Sequence, residues 1–343
     1  MKKITTLLTA IIGMAFMNQV SATHVTVEVP TAGQLSSLVQ NANCDSITIS
    51  GNLDGNDFWF IREQMPNLIY LNIGKVTVPD NKLPESGLYS KKALQKIILP
   101  DNLGTIGNHA FAYCSNLKDI TFPKSLVTIE YNAFYQSGLT EATLPDKLKN
   151  IGDAAFYECY NLKKVNFPEK LVSIGNSAFR QCNLSEIAFP DSLKAIGSNA
   201  FRYCQQLQKV TFPEKLETIG THAFNDCFRL HTATLKGKTA PVISDNTFNY
   251  TKVFYVPEGA AQTYKEAPNW SNLVIIDGNT PKKITVTLTT AGTLGEEILK
   301  QVDYVKQVNE LVINGPLNSD DFYQIQQQTT NLIAIDLIGA TIE

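Results

Sequence analysis

One phenylalanine recurs through the middle of the chain at alternating intervals of 23 and 22 residues. An isoleucine five residues earlier and a proline eleven residues earlier keep the same interval. A fixed period of this length predicts a solenoid, in which each repeat is one coil that packs against its two neighbours. Because solenoids present long regular surfaces, the pattern favours a binding function over catalysis. The recurring residues are Phe111, Phe134, Phe156, Phe179, Phe201 and Phe224.

The sixth repeat shows how one coil is expected to fold. Val210 and Phe212 alternate with polar residues, which predicts a short strand with one buried face. Pro213 ends the strand because it has no N–H to donate. Gly220 is expected to turn the chain with a positive φ, and the residues up to Cys227 to form a single helical turn. Stacking then joins equivalent apolar residues of successive coils into a continuous core.

Five of the six cysteines follow the repeat phenylalanine by three residues. Equivalent side chains of stacked coils point the same way, so their Cβ atoms would stay too far apart for disulfides. We interpret them as small buried hydrophobic residues, and Cys44 as a further unpaired cysteine. The second repeat has Ser137 at this place and Glu130 instead of the turn glycine, which predicts a less regular coil. The five cysteines are Cys114, Cys159, Cys182, Cys204 and Cys227.

The repeat follows the pattern L-x-x-[IVA]-x-[FL]-P-x-x-L-x-x-I-G-x-x-A-F-x-x-C. This pattern resembles the leucine-rich repeat of the BspA-like family of bacterial surface proteins over about residues 94 to 248. Residues 256–259, followed by Tyr264 and Trp270, resemble the unit that closes such arrays. We interpret this segment as a cap, in which the two aromatic side chains cover the open end of the core. The expected fold is therefore α/β: a right-handed leucine-rich-repeat solenoid of 22–23-residue coils with α/β capping units. The resemblance implies adhesion to a host matrix or to neighbouring cells.

The two ends of the chain are copies of each other. Thr31-Ala32-Gly33 and SITISGNLDGNDF near the start match Thr290-Ala291-Gly292 and ELVINGPLNSDDF near the end. Each copy predicts the order strand, helix, strand, helix, strand. Such units also resemble those that precede BspA-like arrays. The helices are expected at residues 34–39 and 57–63 in the first copy, and at 296–302 and 321–327 in the second.

These observations divide the chain into five parts. Residues 23–93 are expected to form an N-terminal capping unit, and residues 94–277 the solenoid with its C-terminal cap. Residues 278–282 are expected to form a linker, and residues 283–343 are expected to be a second, truncated copy of the capping unit. Residues 1–22 have the charged start, apolar run and small residues of a signal peptide. The alternative, a membrane anchor, needs about 20 apolar residues, more than the run contains.

The chain is therefore expected to be exported, and either secreted or held at the cell surface. The formal net charge of -3 gives no reason to expect nucleic acid or an anionic membrane as a partner. No later segment is apolar enough to predict a membrane span.

No catalytic or metal-binding motif is found, so we expect a non-enzymatic protein without a cofactor or metal. His109 and His222 stand where other repeats have asparagine, alanine or serine, which indicates a solvated surface position. Residues 54–57 resemble a calcium loop only superficially, because the spaced ligands and the distal glutamate are missing. We interpret them as a turn with a helix N-cap.

Two surfaces could bind a partner. The first is a ladder of small, mainly polar residues on the outer face of the strands, which also suits a merely solvated sheet. The second is a patch of tyrosine and arginine, residue types enriched at binding hot spots but also common as cover for turns. The ladder residues are Thr121, Thr143, Asn166, Ala188, Thr211 and Thr234. The patch residues are Tyr113, Tyr135, Tyr157, Arg180, Arg202 and Tyr203.

The function expected from these features is binding of another protein, such as a host-matrix or cell-surface protein. One alternative is capture of carbohydrate at the cell surface, which would use aromatic platforms. Only Trp59 and Trp270 are candidates for such platforms, and both have the character of cap residues. A second alternative, a hydrolase, would need an added domain.

Overall fold

The structure, a computed structural model, describes residues 24–278, 283–301, 308, 310–328, 332 and 334–342. The predicted signal peptide and residues 279–282 of the predicted linker lie outside the described residues. No helix in the described part of the chain is long and apolar enough to cross a membrane.

The N-terminal unit has the expected order of strand, helix, strand, helix, strand. Its three strands pair in parallel in the order β1-β2-β3, and β3 also pairs with the first three-residue strand of the stack, at residues 96–98. The elements are β1 (His24–Val29), α1 (Leu35–Leu38), β2 (Ser46–Asn52), α2 (Gly55–Gln64) and β3 (Tyr70–Thr77), followed by a 3-10 turn (Pro79–Asn81).

A buried aspartate explains why the same short motifs occur at both ends of the chain. Asp57 is 1 % exposed and accepts hydrogen bonds from the N–H groups of Gly33 at 2.6 Å and Leu35 at 2.9 Å. It also accepts from the N–H of Asp54, whose side chain caps α2 in return. The N-cap interpretation of residues 54–57 is thus confirmed. In the second copy, Asp321 accepts from the equivalent N–H groups of residues 292, 294 and 318.

Each coil of the stack contributes a short strand before the repeat proline and a two-residue strand at the repeat isoleucine. We number the coils 1 to 6 after the phenylalanines 111, 134, 156, 179, 201 and 224. The strands are β4 (Lys82–Leu83), β5 (Lys96–Ile98), β6 (Thr105–Ile106), β7 (Asp119–Thr121), β8 (Thr128–Ile129), β9 (Glu141–Thr143), β10 (Asn150–Ile151), β11 (Lys164–Asn166), β12 (Ser173–Ile174), β13 (Glu186–Ala188), β14 (Ala195–Ile196), β15 (Lys209–Phe212), β16 (Thr218–Ile219) and β17 (Thr232–Leu235).

The two-residue strands form one unbroken parallel sheet in the order β16-β14-β12-β10-β8-β6-β4. Because β4 pairs with β6, the stack includes residues 82–92, ahead of residue 94 where the repeat pattern begins. Leu88 takes the place of the phenylalanine in this additional coil, and its N–H donates to Ala110 O at 2.9 Å.

The other ladder is interrupted twice, between β7 and β9 and between β11 and β13. Both interruptions follow a shortened coil. Leu139 and Leu184 follow their phenylalanines, Phe134 and Phe179, by five positions. In the other four coils the leucine follows by six positions, as Leu117 follows Phe111. One residue fewer shifts the following strand relative to its neighbour, and the pairing is lost there.

The segment around each phenylalanine differs from the helical turn expected from the sequence. Residues two before and two after the phenylalanine have a left-handed φ, 54° at His109 and 61° at Tyr113. Alternate N–H groups therefore reach the next coil, as Phe111 N donates to Ala133 O at 2.7 Å and Phe134 N to Ala155 O at 2.7 Å. A helical turn would have used such groups within one coil, whereas these hydrogen bonds tie the coils together.

The repeat glycine serves close packing, so the expectation of a positive φ at Gly220 is wrong. The left-handed residue is His222, two positions later. A Cβ atom at Gly220 would lie 2.4 Å from the Ser198 nitrogen of the preceding coil, closer than two such atoms can approach. Coil 2 has Glu130 at this place, and its carboxylate accepts from Lys82 Nζ at 2.6 Å.

The phenylalanines stack in one column through the core. Neighbouring rings are nearly parallel, with centroids 5.0 to 5.5 Å apart from Phe111 to Phe248. Phe134 keeps this spacing on both sides, at 5.1 and 5.0 Å. The irregularity expected in coil 2 therefore affects the strand pairing after it and leaves the column unchanged. Each ring, when buried, contributes about 2 kcal/mol through the hydrophobic effect.

The cysteines form a second buried column beside the phenylalanines. All six cysteines are free thiols, as expected for the five of the column from the direction of their side chains and for Cys44 as a further unpaired cysteine. Each thiol of the column also donates to a carbonyl of the preceding coil: Cys159 Sγ lies 3.0 Å from Phe134 O, and Cys182 Sγ lies 3.1 Å from Phe156 O. Burial raises the pKa of the Cys159 thiol to about 12, so it stays protonated even at pH values where an exposed thiol ionises.

The end of the stack is closed by β18 (Val253–Val256), α3 (Ala261–Glu266) and β19 (Val274–Asp277). Tyr264 and Trp270 are fully buried, which confirms the cap interpretation of this segment. Trp270 Nε1 donates to Pro241 O at 2.9 Å, and the Tyr264 hydroxyl donates to Gly237 O at 2.8 Å. The polar atom of each aromatic side chain is therefore satisfied inside the core.

The second flanking copy has the same element order as the first and its own hydrophobic core. Its strands pair in parallel in the order β20-β21-β22. Among the described residues, β22 pairs with β21 alone, and Ile338 is 95 % exposed. The elements are β20 (Lys283–Thr287), α4 (Leu294–Leu299), β21 (Glu310–Leu317), α5 (Ser319–Gln328) and β22 (Ala334–Ile342).

Candidate functional site

The structure brings the six predicted patch residues together as one strip along coils 1 to 5, which we call the Tyr/Arg ribbon. The three tyrosines of the first coils contact one another in sequence. The ring centroids of Tyr113 and Tyr135 are 5.0 Å apart, and those of Tyr135 and Tyr157 are 5.3 Å apart. Stacking of equivalent turns produces this alignment, because each coil places the residues after its phenylalanine beside those of the next coil.

The arginines continue the ribbon by packing on tyrosine rings. The Arg180 guanidinium lies 5.3 Å from the centre of the Tyr157 ring and 5.7 Å from that of Tyr203. Arg202 lies 4.8 Å from the centre of the Tyr203 ring. These distances fit cation–π contacts, which hold both guanidinium groups in fixed positions on the surface.

The two arginines differ in their charge partners. Arg202 Nε donates to Asp226 at 3.1 Å, so its charge is balanced within the protein. Arg180 forms no ion pair with any described residue, and its buried Nε–H has no hydrogen-bond partner among them. An unpaired guanidinium of this kind is suited to receive a carboxylate from a partner.

Glu158 is the centre of a hydrogen-bond network that sequence analysis missed. Its Oε2 accepts from the Tyr135 hydroxyl at 3.2 Å and from Gln136 Nε2. Burial alone would raise the pKa of the Glu158 carboxyl, but hydrogen bonds from Gln136, Tyr157, Tyr160 and Tyr135 outweigh burial and lower this pKa. The carboxylate thus stays charged and fixes the tyrosine hydroxyls on the ribbon.

The ribbon residues are half-buried, so each presents one side to solvent and packs with the other. Tyr89 extends the ribbon, since its ring centroid lies 5.3 Å from that of Tyr113. Tyr89 belongs to the additional coil that the repeat pattern did not reveal. Glu158 and Asp226 each stand two residues after a repeat phenylalanine. This shared repeat position could have predicted that acidic side chains lie beside the ribbon.

The other predicted surface, the threonine ladder, is exposed along β7 to β13 and half-buried on β15 and β17. Its small side chains offer little contact area. Of the two candidate aromatic platforms, Trp270 is a buried cap residue, as expected. Trp59 is 51 % exposed on α2, so its interpretation as a cap residue is wrong, and its neighbour Phe58 fills the core instead.

Histidines and acidic groups do not converge on a metal site in the described part of the chain. No group of three or more His, Cys, Asp or Glu side chains there could hold a metal ion. His109 and His222 are half-buried and lie within hydrogen-bond distance of Asn132 and Asn246, respectively, in the following turns.

Comparison with known proteins identifies the repeats. The family model described as "BspA type Leucine rich repeat region" matches residues 81–193 and 172–273, with six copies, and these ranges together cover more than half of the chain. The chain belongs to the BspA-type leucine-rich repeat family. Its stack is accordingly a leucine-rich-repeat solenoid, and the BspA-type match includes residues 82–92, which the structure adds to the stack.

Solved structures of bacterial leucine-rich-repeat proteins are similar to the chain at low identity. One is a leucine rich cell surface protein from Faecalibacterium prausnitzii A2-165, with 17 % identity, coverage of 91 % of this chain and 87 % of that chain, and a TM-score of 0.45. Another is a leucine-rich repeat protein from Bacteroides ovatus ATCC 8483, with 16 % identity, coverage of 90 % and 91 %, and a TM-score of 0.33. No curated protein matches the chain.

Proposed function

We propose that this chain is an exported, non-enzymatic BspA-type repeat protein that binds another protein through the Tyr/Arg ribbon. The partner is a host-matrix or cell-surface protein, and the binding serves adhesion to the host or to neighbouring cells. The observation that carries the proposal is the ribbon itself: tyrosines and arginines packed into fixed positions across five coils. Side chains ordered before binding lose less conformational entropy when the complex forms.

The charge pattern of the ribbon supports a partner that offers a carboxylate. Arg180 lacks an internal counter-ion and has a buried N–H without an acceptor, whereas Arg202 is neutralised by Asp226. An acidic side chain docking against Tyr157 and Tyr203 would balance the charge of the half-buried Arg180 guanidinium.

The test is a pull-down of purified matrix proteins and cell-surface ectodomains with the wild-type protein and a quadruple variant. The variant replaces Tyr135, Tyr157, Arg180 and Arg202 with alanine. We expect it to lose the partner and keep the circular dichroism spectrum of the wild type. The matched control replaces Thr121 and Thr143 of the threonine ladder with alanine and should bind normally.

Single substitutions compare the contributions of the two arginines to partner binding. Arg180→Ala should weaken binding by about 2 kcal/mol or more, the size that defines a hot spot. Arg202→Ala should cost less, because that arginine already has a partner in Asp226. If the quadruple variant bound the partner as well as the wild type does, the ribbon would not be the binding surface.

A further inference from the structure

The shortened turn of coil 4 leaves a concavity on the solenoid surface, about 390 Å³ in volume, which we call the coil-4 notch. Coil 4 has one residue, Asn183, between its cysteine and the next leucine, whereas coils 3 and 5 have two. The neighbouring coils therefore project on either side of it. The polar and aromatic side chains that line the notch are Tyr160, Gln181, Asn183, Tyr203, Gln205 and Gln206.

The lining combines two tyrosines with four amides, and no lysine, arginine, aspartate or glutamate lines it among the described residues. Amide side chains can donate and accept at the same time, which matches the paired donor and acceptor character of a sugar hydroxyl. The exposed Tyr160 ring offers apolar surface for the C–H face of a sugar ring. Such a lining favours a ligand that is uncharged and rich in hydroxyl groups.

The amides are available to a ligand. None of the four side chains forms a hydrogen bond with another described residue, in contrast to Gln136, whose amide in the Tyr/Arg ribbon is held by Glu158. The position of Tyr203 is held by a hydrogen bond, since its hydroxyl accepts from Arg202 Nη2 at 3.3 Å. The notch volume falls within the range of about 300 to 1,000 Å³ that small-ligand sites occupy.

Coil 2 shows that a shortened turn alone does not create such a lining. Its single residue in this place is Gly138, where a Cβ atom would lie 2.2 Å from Ser115 O of coil 1. The coil-2 turn therefore packs directly against its neighbour and carries no side chain. Asn183 instead presents an amide at the matching place in coil 4.

We propose that the coil-4 notch is a binding subsite for a neutral saccharide. This function goes beyond the protein binding proposed for the Tyr/Arg ribbon. The two surfaces share Tyr203, whereas Tyr160 and the four amides belong to the notch alone. The notch would hold one or two sugar units between Tyr160 and Tyr203, with the amides of coils 4 and 5 bonded to their hydroxyl groups.

The experiment uses an array of neutral oligosaccharides built from hexoses and N-acetylhexosamines, followed by calorimetric titration with the best binder. The wild-type protein should bind at least one array member. Gln205→Ala/Gln206→Ala should raise the dissociation constant at least about tenfold. The matched control is Ser115→Ala/Asn116→Ala, at the same repeat positions of coil 1, and it should leave binding unchanged.

A second variant tests the shape of the notch without removing its lining. Insertion of one asparagine after Asn183 gives coil 4 the turn length of coils 3 and 5, and it should abolish saccharide binding while the fold is kept. Tyr135→Ala/Tyr157→Ala, which disrupts the ribbon, should bind the saccharide as the wild type does. Failure of the wild type to bind any neutral array member would overturn the proposal. Binding that the Gln205/Gln206 substitutions leave intact, or binding of anionic glycans alone, would overturn it equally.

Discussion

Raising the pH should destabilise the solenoid through its column of buried thiols. In the folded protein, burial raises the pKa of Cys114, Cys159 and Cys227 to about 12, and those of Cys182 and Cys204 well above the ordinary value of 9.0. The folded thiols stay protonated at pH 10, whereas the thiols of the unfolded chain ionise. The unfolded state then binds fewer protons than the folded state, so stability falls as the pH rises above about 8.

The size of this loss follows from the unfolded chain alone. A thiol with a pKa of 9.0 gains about 1.4 kcal/mol from ionisation at pH 10, which stabilises the unfolded state by that amount. The five thiols of the column together give about 7 kcal/mol, comparable to the whole stability of many domains. The column should therefore dominate the response of the solenoid to alkaline pH.

The assay is urea unfolding at pH 7 and pH 10, followed by circular dichroism under anaerobic conditions with a phosphine reductant. The matched variant is Cys182→Ala/Cys204→Ala. Its lost packing costs the same at both pH values, so the difference between pH 7 and pH 10 isolates ionisation. This difference should be about 3 kcal/mol smaller in the variant than in the wild type. An equal pH dependence in the two proteins would show that the buried thiols do not cause the loss of stability at alkaline pH.

Two further predictions test the packing between coils. Phe156→Ala should lower the free energy of unfolding by about 3 to 5 kcal/mol in urea denaturation, because the ring stacks on two neighbours. Phe156→Leu should lose much less, since Leu88 fills the same place in the additional coil, and equal losses would contradict the role of the column. Gly220→Ala should cost about 1 to 3 kcal/mol in thermal denaturation, because its Cβ would meet the Ser198 backbone. Gly55→Ala, where the Cβ meets open space, is its control, and equal effects would show that close approach is not the reason for the glycine.

The repeat interval was sufficient to predict the stack, because a buried column of identical side chains needs one contribution from every coil. It could not show the additional coil at residues 82–92. Leu88 replaces the phenylalanine there, and Lys91 replaces the cysteine. Lys91 is 3 % exposed and donates from Nζ to the carbonyls of Arg62 and Met65 at the end of α2. That contact depends on the docking of the N-terminal unit, which no local pattern encodes.

The members of the candidate site were predictable, but their chemistry was not. Equivalent positions in a repeat align whatever residues they hold, so the ribbon followed from the spacing. Which arginine is neutralised depends on side-chain directions, and only the structure distinguishes Arg180 from Arg202. The ladder interruptions were visible as 22-residue intervals, yet their effect on strand pairing required the three-dimensional register.

Hydroxyl-radical footprinting of the complex with the partner retained in the pull-down shows directly whether the ribbon is the binding surface. Modification of tyrosine side chains is read by mass spectrometry with and without that partner. We expect Tyr113, Tyr135 and Tyr157 to be protected on binding. Tyr131 and Tyr250, which are exposed outside the ribbon, should be modified as in the free protein. Unchanged modification of the three ribbon tyrosines in the bound state would contradict the claim that the ribbon is the binding surface.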